Sequence, residues 1–250
     1  MKSLPVLLAL LAAVSVRASA ETPLAVSAAT SLRDVLADLK TLYATDHADV
    51  AITLNITGSG AIQRQIENGA LIDVFISASP KEIFALEKRD LLVRDSIRNV
   101  VRNTLVLVVP KENTTVQSFA DLTKPEVRRI AIGEPRTVAV GTYTIEAIAF
   151  LKLTDALTPK LVNRPDVQQV LAAVGTGDAD AGFVYATDAR RSAKVRIADT
   201  AKPGMHQLIL YPAAIPKASL QKTAARDFTT FLTSTAARAV FEKYGFLPPS

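Results

Sequence analysis

Cysteine is absent from the 250 residues, which excludes a disulfide framework, thiol chemistry and a cysteine to carry a lipid. Histidine is scarce: His47 sits in the polar run Asp46-His47-Ala48-Asp49 and His206 follows Pro203-Gly204, and both read as solvated surface residues. A hydrolytic triad therefore has little to draw on. Ser59 between two glycines invites comparison with a nucleophile elbow, but Thr57-Gly58-Ser59-Gly60-Ala61 lacks the Gly-x-Ser-x-Gly spacing. Metal and nucleotide motifs are missing too. Asp178-Ala179-Asp180 opens like a calcium loop without its third ligand, central glycine or final glutamate, and Gly175-Thr176-Gly177 lacks the lysine and spacing of a P-loop. Both read as polar turns. Beyond the first twenty residues no run is long and apolar enough to span a bilayer.

What is present begins with a leader-like segment. Lys2 supplies a positive start, Leu4 to Val16 an apolar stretch too short to span a membrane, and Ala18-Ser19-Ala20 a small-residue cleavage site. This pattern predicts a signal peptide over residues 1–20, cleavage after Ala20 and a periplasmic mature protein. Losing Lys2 and Arg17 with the leader takes the side-chain charge from +5 to +3. That mild excess attracts anions over a distance but makes no case for nucleic acid, because the basic residues are scattered.

The mature region alternates strand-like and helix-like runs, which predicts an α/β chain with largely parallel pairing. Leu24-Ala25-Val26, Val50 to Ile56, Asp73 to Ser77, Thr104 to Val109, Ile130 to Ile132, Ala181 to Tyr185 and Leu208 to Tyr211 read as strands. Helices are expected from Leu32 to Tyr43, around Ile62 and Ile66 with Gly69 as C-cap, from Pro80, from Gly141-Thr142, from Pro165-Asp166, and twice in the tail. Thr187-Asp188 reads as a polar turn. No internal repeat or low-complexity linker is visible. Strand-like stretches near Val100 to Asn103 and Tyr211 to Ala214 are candidate crossings between two lobes, residues 21–102 with 212–250 and residues 103–211, and a two-strand hinge implies closure around a ligand.

Two serine-bearing turns, Ala28-Ala29-Thr30-Ser31-Leu32 and Thr57-Gly58-Ser59-Gly60, each join a strand-like run to a helix-like one. A helix start exposes unpaired N–H groups and partial positive charge, so two such turns could cradle an oxyanion. Ordinary N-capping by each serine explains them equally well. Thr142-Tyr143, Asp166-Val167 and Tyr185 lie at boundaries of the same kind, where open α/β sheets place ligands.

Together these runs resemble the periplasmic molybdate-binding proteins of ABC transporters, which have the type II periplasmic binding fold. The likeness spans the mature chain. It is carried by Ser27 to Leu32, Gly58-Ser59-Gly60 with Arg64 to Ala70, Asp73 to Ala78, Ala131 to Pro135, Val138 to Tyr143, Asp166-Val167, Val184 to Ala189 and Lys243 to Phe246. The resemblance implies a two-lobe fold of mixed, mostly parallel sheets with flanking helices and a double-strand hinge. It implies no enzymatic activity and no cofactor. The ligand would be molybdate or tungstate, and the partners a membrane permease and its ATPase, with a monomeric receptor. The contacts it implies are the hydroxyls and N–H groups of Ser31 and Ser59, the N–H groups of Val140 and Val167, and the Tyr185 hydroxyl, all to oxyanion oxygens and none to the metal. The chain departs from the family at Ala139-Val140-Gly141, commonly proline-alanine-glycine, and at Thr30 and Gly60, often alanine or serine.

Overall fold

The computed structural model describes residues 21–249; the expected signal peptide and Ser250 lie outside them. The chain runs β1 (Thr22–Ala29), a 3-10 turn (Thr30–Leu32), α1 (Arg33–Ala44), β2 (Val50–Thr57), α2 (Ser59–Glu67), β3 (Val74–Ile76), α3 (Pro80–Lys88) and β4 (Arg98–Arg102). It continues through β5 (Leu105–Pro110), β6 (Ile130–Gly133), α4 (Ala139–Phe150), α5 (Thr154–Leu157), β7 (Leu161–Arg164), α6 (Val167–Gly175), β8 (Ala181–Tyr185), α7 (Ala186–Arg190) and β9 (Val195–Thr200). It ends with β10 (Leu210–Ala214), α8 (Lys222–Phe231) and α9 (Thr235–Lys243).

Local chemistry accounts for most of these elements. Val35, Leu36, Leu39 and Tyr43 form the buried stripe of α1. Gly69, at φ +84°, ends α2 with the paired C-terminal bonds Gly69 N to Ile66 O and Ala70 N to Gln65 O. Pro80 opens α3 behind a Ser79 cap that accepts from the Lys81 N–H at 3.1 Å. The apolar run of β5 is buried because α4, α6 and α7 pack against it in addition to its strand neighbours.

Two five-stranded sheets result, ordered β2-β1-β3-β10-β4 and β7-β6-β8-β5-β9. They share one plan: three parallel strands, then one antiparallel strand, then an edge strand. The sheets are mixed as expected, with parallel and antiparallel pairings equal in number instead of a parallel majority. Every antiparallel pairing involves β5 or β10. Each of these strands enters its sheet from the other one, and so runs against the βαβ direction.

Some boundaries differ from the sequence reading. The late strand spans Leu210–Ala214, and Leu210 and Tyr211 pair with Arg102 and Val101 of the first sheet; the return crossing therefore lies in residues 201–209, ahead of the expected Tyr211. Thr187-Asp188 is a buried part of α7 and not a polar turn: Asn103 donates to Thr187 Oγ1 and Gln168 to Asp188 Oδ1, while Asp188 Oδ2 has no partner among the described residues. Helix α4 starts at Ala139, two residues early. Strands β7 and β9, which are short and half-polar, were not anticipated.

Candidate functional site

The C-terminal ends of the parallel strands in both sheets point to a common cleft. The ends of β1 and β2 lead into the Thr30–Leu32 turn and α2, while those of β6, β7 and β8 lead toward α4, α6 and α7. This is where open α/β sheets offer helix N-termini to a ligand. A narrow cavity there is lined by residues that include Thr30, Ser31, Ser59, Val140, Val167 and Tyr185. All five residues expected from the sequence thus share one cavity, although more than 150 positions separate the first from the last. Among the described residues no charged side chain lines it.

The helix starts are built to leave donors free. The N-cap residues Ala29, Gly58 and Val138 make no side-chain cap, and Asp166 at α6 accepts from Gln169 N–H at 2.9 Å, not from Val167. Ser31, Ser59, Val140 and Val167 occupy first or second positions, where an N–H has no intrahelical acceptor. Four partial positive ends therefore meet around one space. Neither serine is an N-cap, which removes ordinary capping as their explanation.

The serine hydroxyls are oriented by donors behind them. Ser59 Oγ accepts from Ala78 N–H at 3.1 Å, leaving its proton for the cavity. Behind Ser31 stands a longer relay: Asn103 Oδ1 accepts from Thr104 N–H, which turns Asn103 Nδ2 toward Thr187 Oγ1 (2.9 Å) and Tyr211 Oη (3.2 Å). The Tyr211 hydroxyl accepts from Asn103 and shares a hydrogen bond of 3.0 Å with Ser31 Oγ; when Tyr211 donates in that bond, the serine's own proton is left for the cavity.

Burial tunes the remaining groups. The Tyr185 hydroxyl is buried with no partner among the described residues, and burial raises its pKa well above the ordinary value, so it remains a donor. Burial likewise raises Tyr211 and Tyr143, whose hydroxyl donates to Ala78 O at 3.4 Å. Two buried carboxyls flank the cleft. Burial pushes Asp188 up to about 8 although Gln168 Nε2 donates to it at 2.7 Å, and raises Glu82 beside Ser77. Holding Asp188 neutral keeps negative charge away from the cavity. Sequence reading missed these carboxyls because only tertiary packing buries them.

The extra bulk of Val140 is partly absorbed. Its Cγ1 would stand 2.9 Å from a Cβ on Gly133, so it fills the space that glycine leaves. Gly141 is required too, since a Cβ there would meet Gly133 O at 2.1 Å. His47 stacks on Tyr43 at 4.1 Å and His206 lies 5.6 Å from Tyr143; neither lines the cavity. Asp180 caps the Arg128 and Arg129 N–H groups at 2.8 Å, a structural role for the supposed calcium loop.

Comparison with known proteins agrees with this architecture. The family model for bacterial extracellular solute-binding proteins matches residues 24–247. The chain is 42% identical over 225 residues to YvgL of Bacillus subtilis, described as an ABC transporter substrate-binding lipoprotein, covering 89% of this chain and 85% of that one. It is 32% identical to the molybdate-binding protein ModA of Haemophilus influenzae, covering 91% of each. The solved periplasmic molybdate-binding protein of Azotobacter vinelandii superposes with a TM-score of 0.82 at 26% identity, covering 91% of this chain and all of that one. With its paired sheets, converging helix starts and a family match across nearly all the described residues, the chain belongs to the bacterial extracellular solute-binding proteins, a family of transport receptors and not of enzymes.

Proposed function

We propose that this protein captures molybdate, and tungstate, between two lobes and delivers it to an ABC permease driven by its ATPase. One observation carries the reading: four helix starts and the Tyr185 hydroxyl, drawn from both sheets, surround one cavity that no charged side chain among the described residues lines. Ser31, Ser59, Val140, Val167 and Tyr185 are the contacts. Such a donor set suits a fully deprotonated tetrahedral dianion, since every oxygen finds a donor. Phosphate near neutral pH keeps a proton that needs an acceptor, and none of the proposed contacts is a carboxylate. Sulfate has the right charge but shorter bonds, so a cavity closed to fixed size holds it less well, whereas tungstate is nearly the size of molybdate. The names of the relatives support the same ligand.

In this reading each sheet is the core of a lobe. The lobes join near Asn103 and through residues 201–209; the receptor is an exported monomer, cleaved after Ala20, in the periplasm. Thermal unfolding with molybdate, tungstate, sulfate and phosphate tests the proposal, because a ligand that binds only the folded state raises stability by mass action. Molybdate and tungstate should raise Tm by several degrees at saturation. No shift with molybdate, or an equal one with sulfate, overturns the assignment.

A further inference from the structure

Thr30 stands next to Ser31 at the end of β1, lines the same cavity and is 5% exposed. Its Oγ1 has no hydrogen-bond partner among the described residues. The other buried threonines are all satisfied: Thr144 donates to Val140 O at 2.7 Å, Thr229 to Arg226 O at 3.0 Å, and Thr187 accepts from Asn103 at 2.9 Å. A buried hydroxyl without a partner destabilises the fold, and a valine of the same shape would avoid that cost. Among the described residues one other group combines these properties. The Tyr185 hydroxyl is the second unpartnered buried atom on a residue lining this cavity, and it is already among the proposed contacts.

We propose that the Thr30 hydroxyl is a further donor to the bound tetrahedral oxyanion, set beside Ser31 so that two successive side chains contact the ligand. The proposal rests on the oxyanion reading above. The turn makes the pairing feasible: Thr30 and Ser31 both belong to an uncapped 3-10 start and both line the cavity, so a ligand against Ser31 lies within a residue's reach of Thr30. A hydroxyl kept unsatisfied by the fold is satisfied when the anion arrives. Stability is given up in the free protein and recovered in the complex.

That trade-off predicts opposite signs for one substitution. Thr30→Val should leave the ligand-free Tm unchanged or raise it, while weakening molybdate binding about tenfold, the scale of one lost hydrogen bond to an anion. Thr30→Ser, which keeps the hydroxyl, should bind within about twofold of the natural chain. Calorimetric titration of the full mature chain with sodium molybdate, beside ligand-free melting of each variant, reads both effects. Thr30→Ala serves in place of valine if the latter fails to fold. Equal binding by Thr30→Val and the natural chain overturns this proposal alone, as does equal weakening in valine and serine variants. A ligand-free Tm that falls in Thr30→Val overturns the premise that the hydroxyl is unpaired. A natural chain that binds no molybdate overturns the oxyanion reading and this proposal with it.

Discussion

Tyr211 shows how a residue away from the helix starts can decide what Ser31 does. Its hydroxyl relays the Asn103 amide to Ser31 Oγ, so Tyr211→Phe should leave Ser31 free to turn its proton away from the cavity. Molybdate affinity should fall several-fold, with about 1–2 kcal/mol lost from the folded state for the broken hydrogen bonds; titration and urea unfolding read the two effects. Asp188 predicts a pH dependence. Its folded pKa, about 8, lies above the ordinary carboxylate value, so the folded chain holds a proton that the unfolded chain releases above about 4. The stabilising contribution is complete below the unfolded pKa and is lost as pH rises toward 8, at up to roughly 1.4 kcal/mol per unit. Asp188→Asn, which can still accept from Gln168, should flatten that slope and raise Tm at pH 8; an unchanged slope in pH-dependent melting would place the titrating group elsewhere.

At the scale of elements, the cleft depends on helices that begin without side-chain caps and on loops that can approach them. Gly60 N–H donates to Thr137 O at 3.1 Å, joining the first turn of α2 to the loop between β6 and α4. A Cβ on Gly60 would stand 2.9 Å from Thr137 Cα, a backbone atom that cannot rotate away. Gly60→Ala should therefore hold the two sides apart and weaken molybdate binding tenfold or more. The ligand-free fold should be unharmed, since alanine is the better helix former by roughly 0.5–1 kcal/mol. Parallel titration and unfolding would expose a mere folding defect. The serine-bearing turns were legible as places where strand gives way to helix, but their uncapped state was not, because Ser31 and Ser59 read equally well as N-caps until the structure put Ala29 and Gly58 at those positions. Strands β7 and β9 were not legible either, because Leu-Val-Asn-Arg and Val-Arg-Ile-Ala-Asp-Thr carry too few apolar positions to register before a sheet pairs them.

For the whole molecule, the two matched sheets and their exchanged strands give a physical basis for closure. Arg191, just after α7, pairs with Asp34 of α1 and lies 5.5 Å from the Tyr244 ring centre, so it bridges elements attached to different sheets. Both partners are partly exposed, which limits the pair to a small effect. Arg191→Ala should weaken molybdate binding two- to threefold in dilute buffer, and the difference should vanish in high salt. Small-angle scattering should show the natural chain contracting on adding molybdate and Gly60→Ala contracting less; identical radii with and without ligand would argue against closure. The sequence alone determined the alternation of strands and helices, the absence of thiol, triad and P-loop chemistry, and the boundary turns at Ser31, Ser59, Val167 and Tyr185, because periodicity and turn chemistry are local; Val140 rests on the family resemblance, since the local pattern starts that helix at Gly141. Tertiary structure alone decided that those turns meet in one cavity, that Tyr211 and Asn103 aim Ser31, and that Asp188 and Thr30 are buried. Those facts depend on contacts between distant segments, and the β5 and β10 exchange that creates them leaves no periodic signal in either strand.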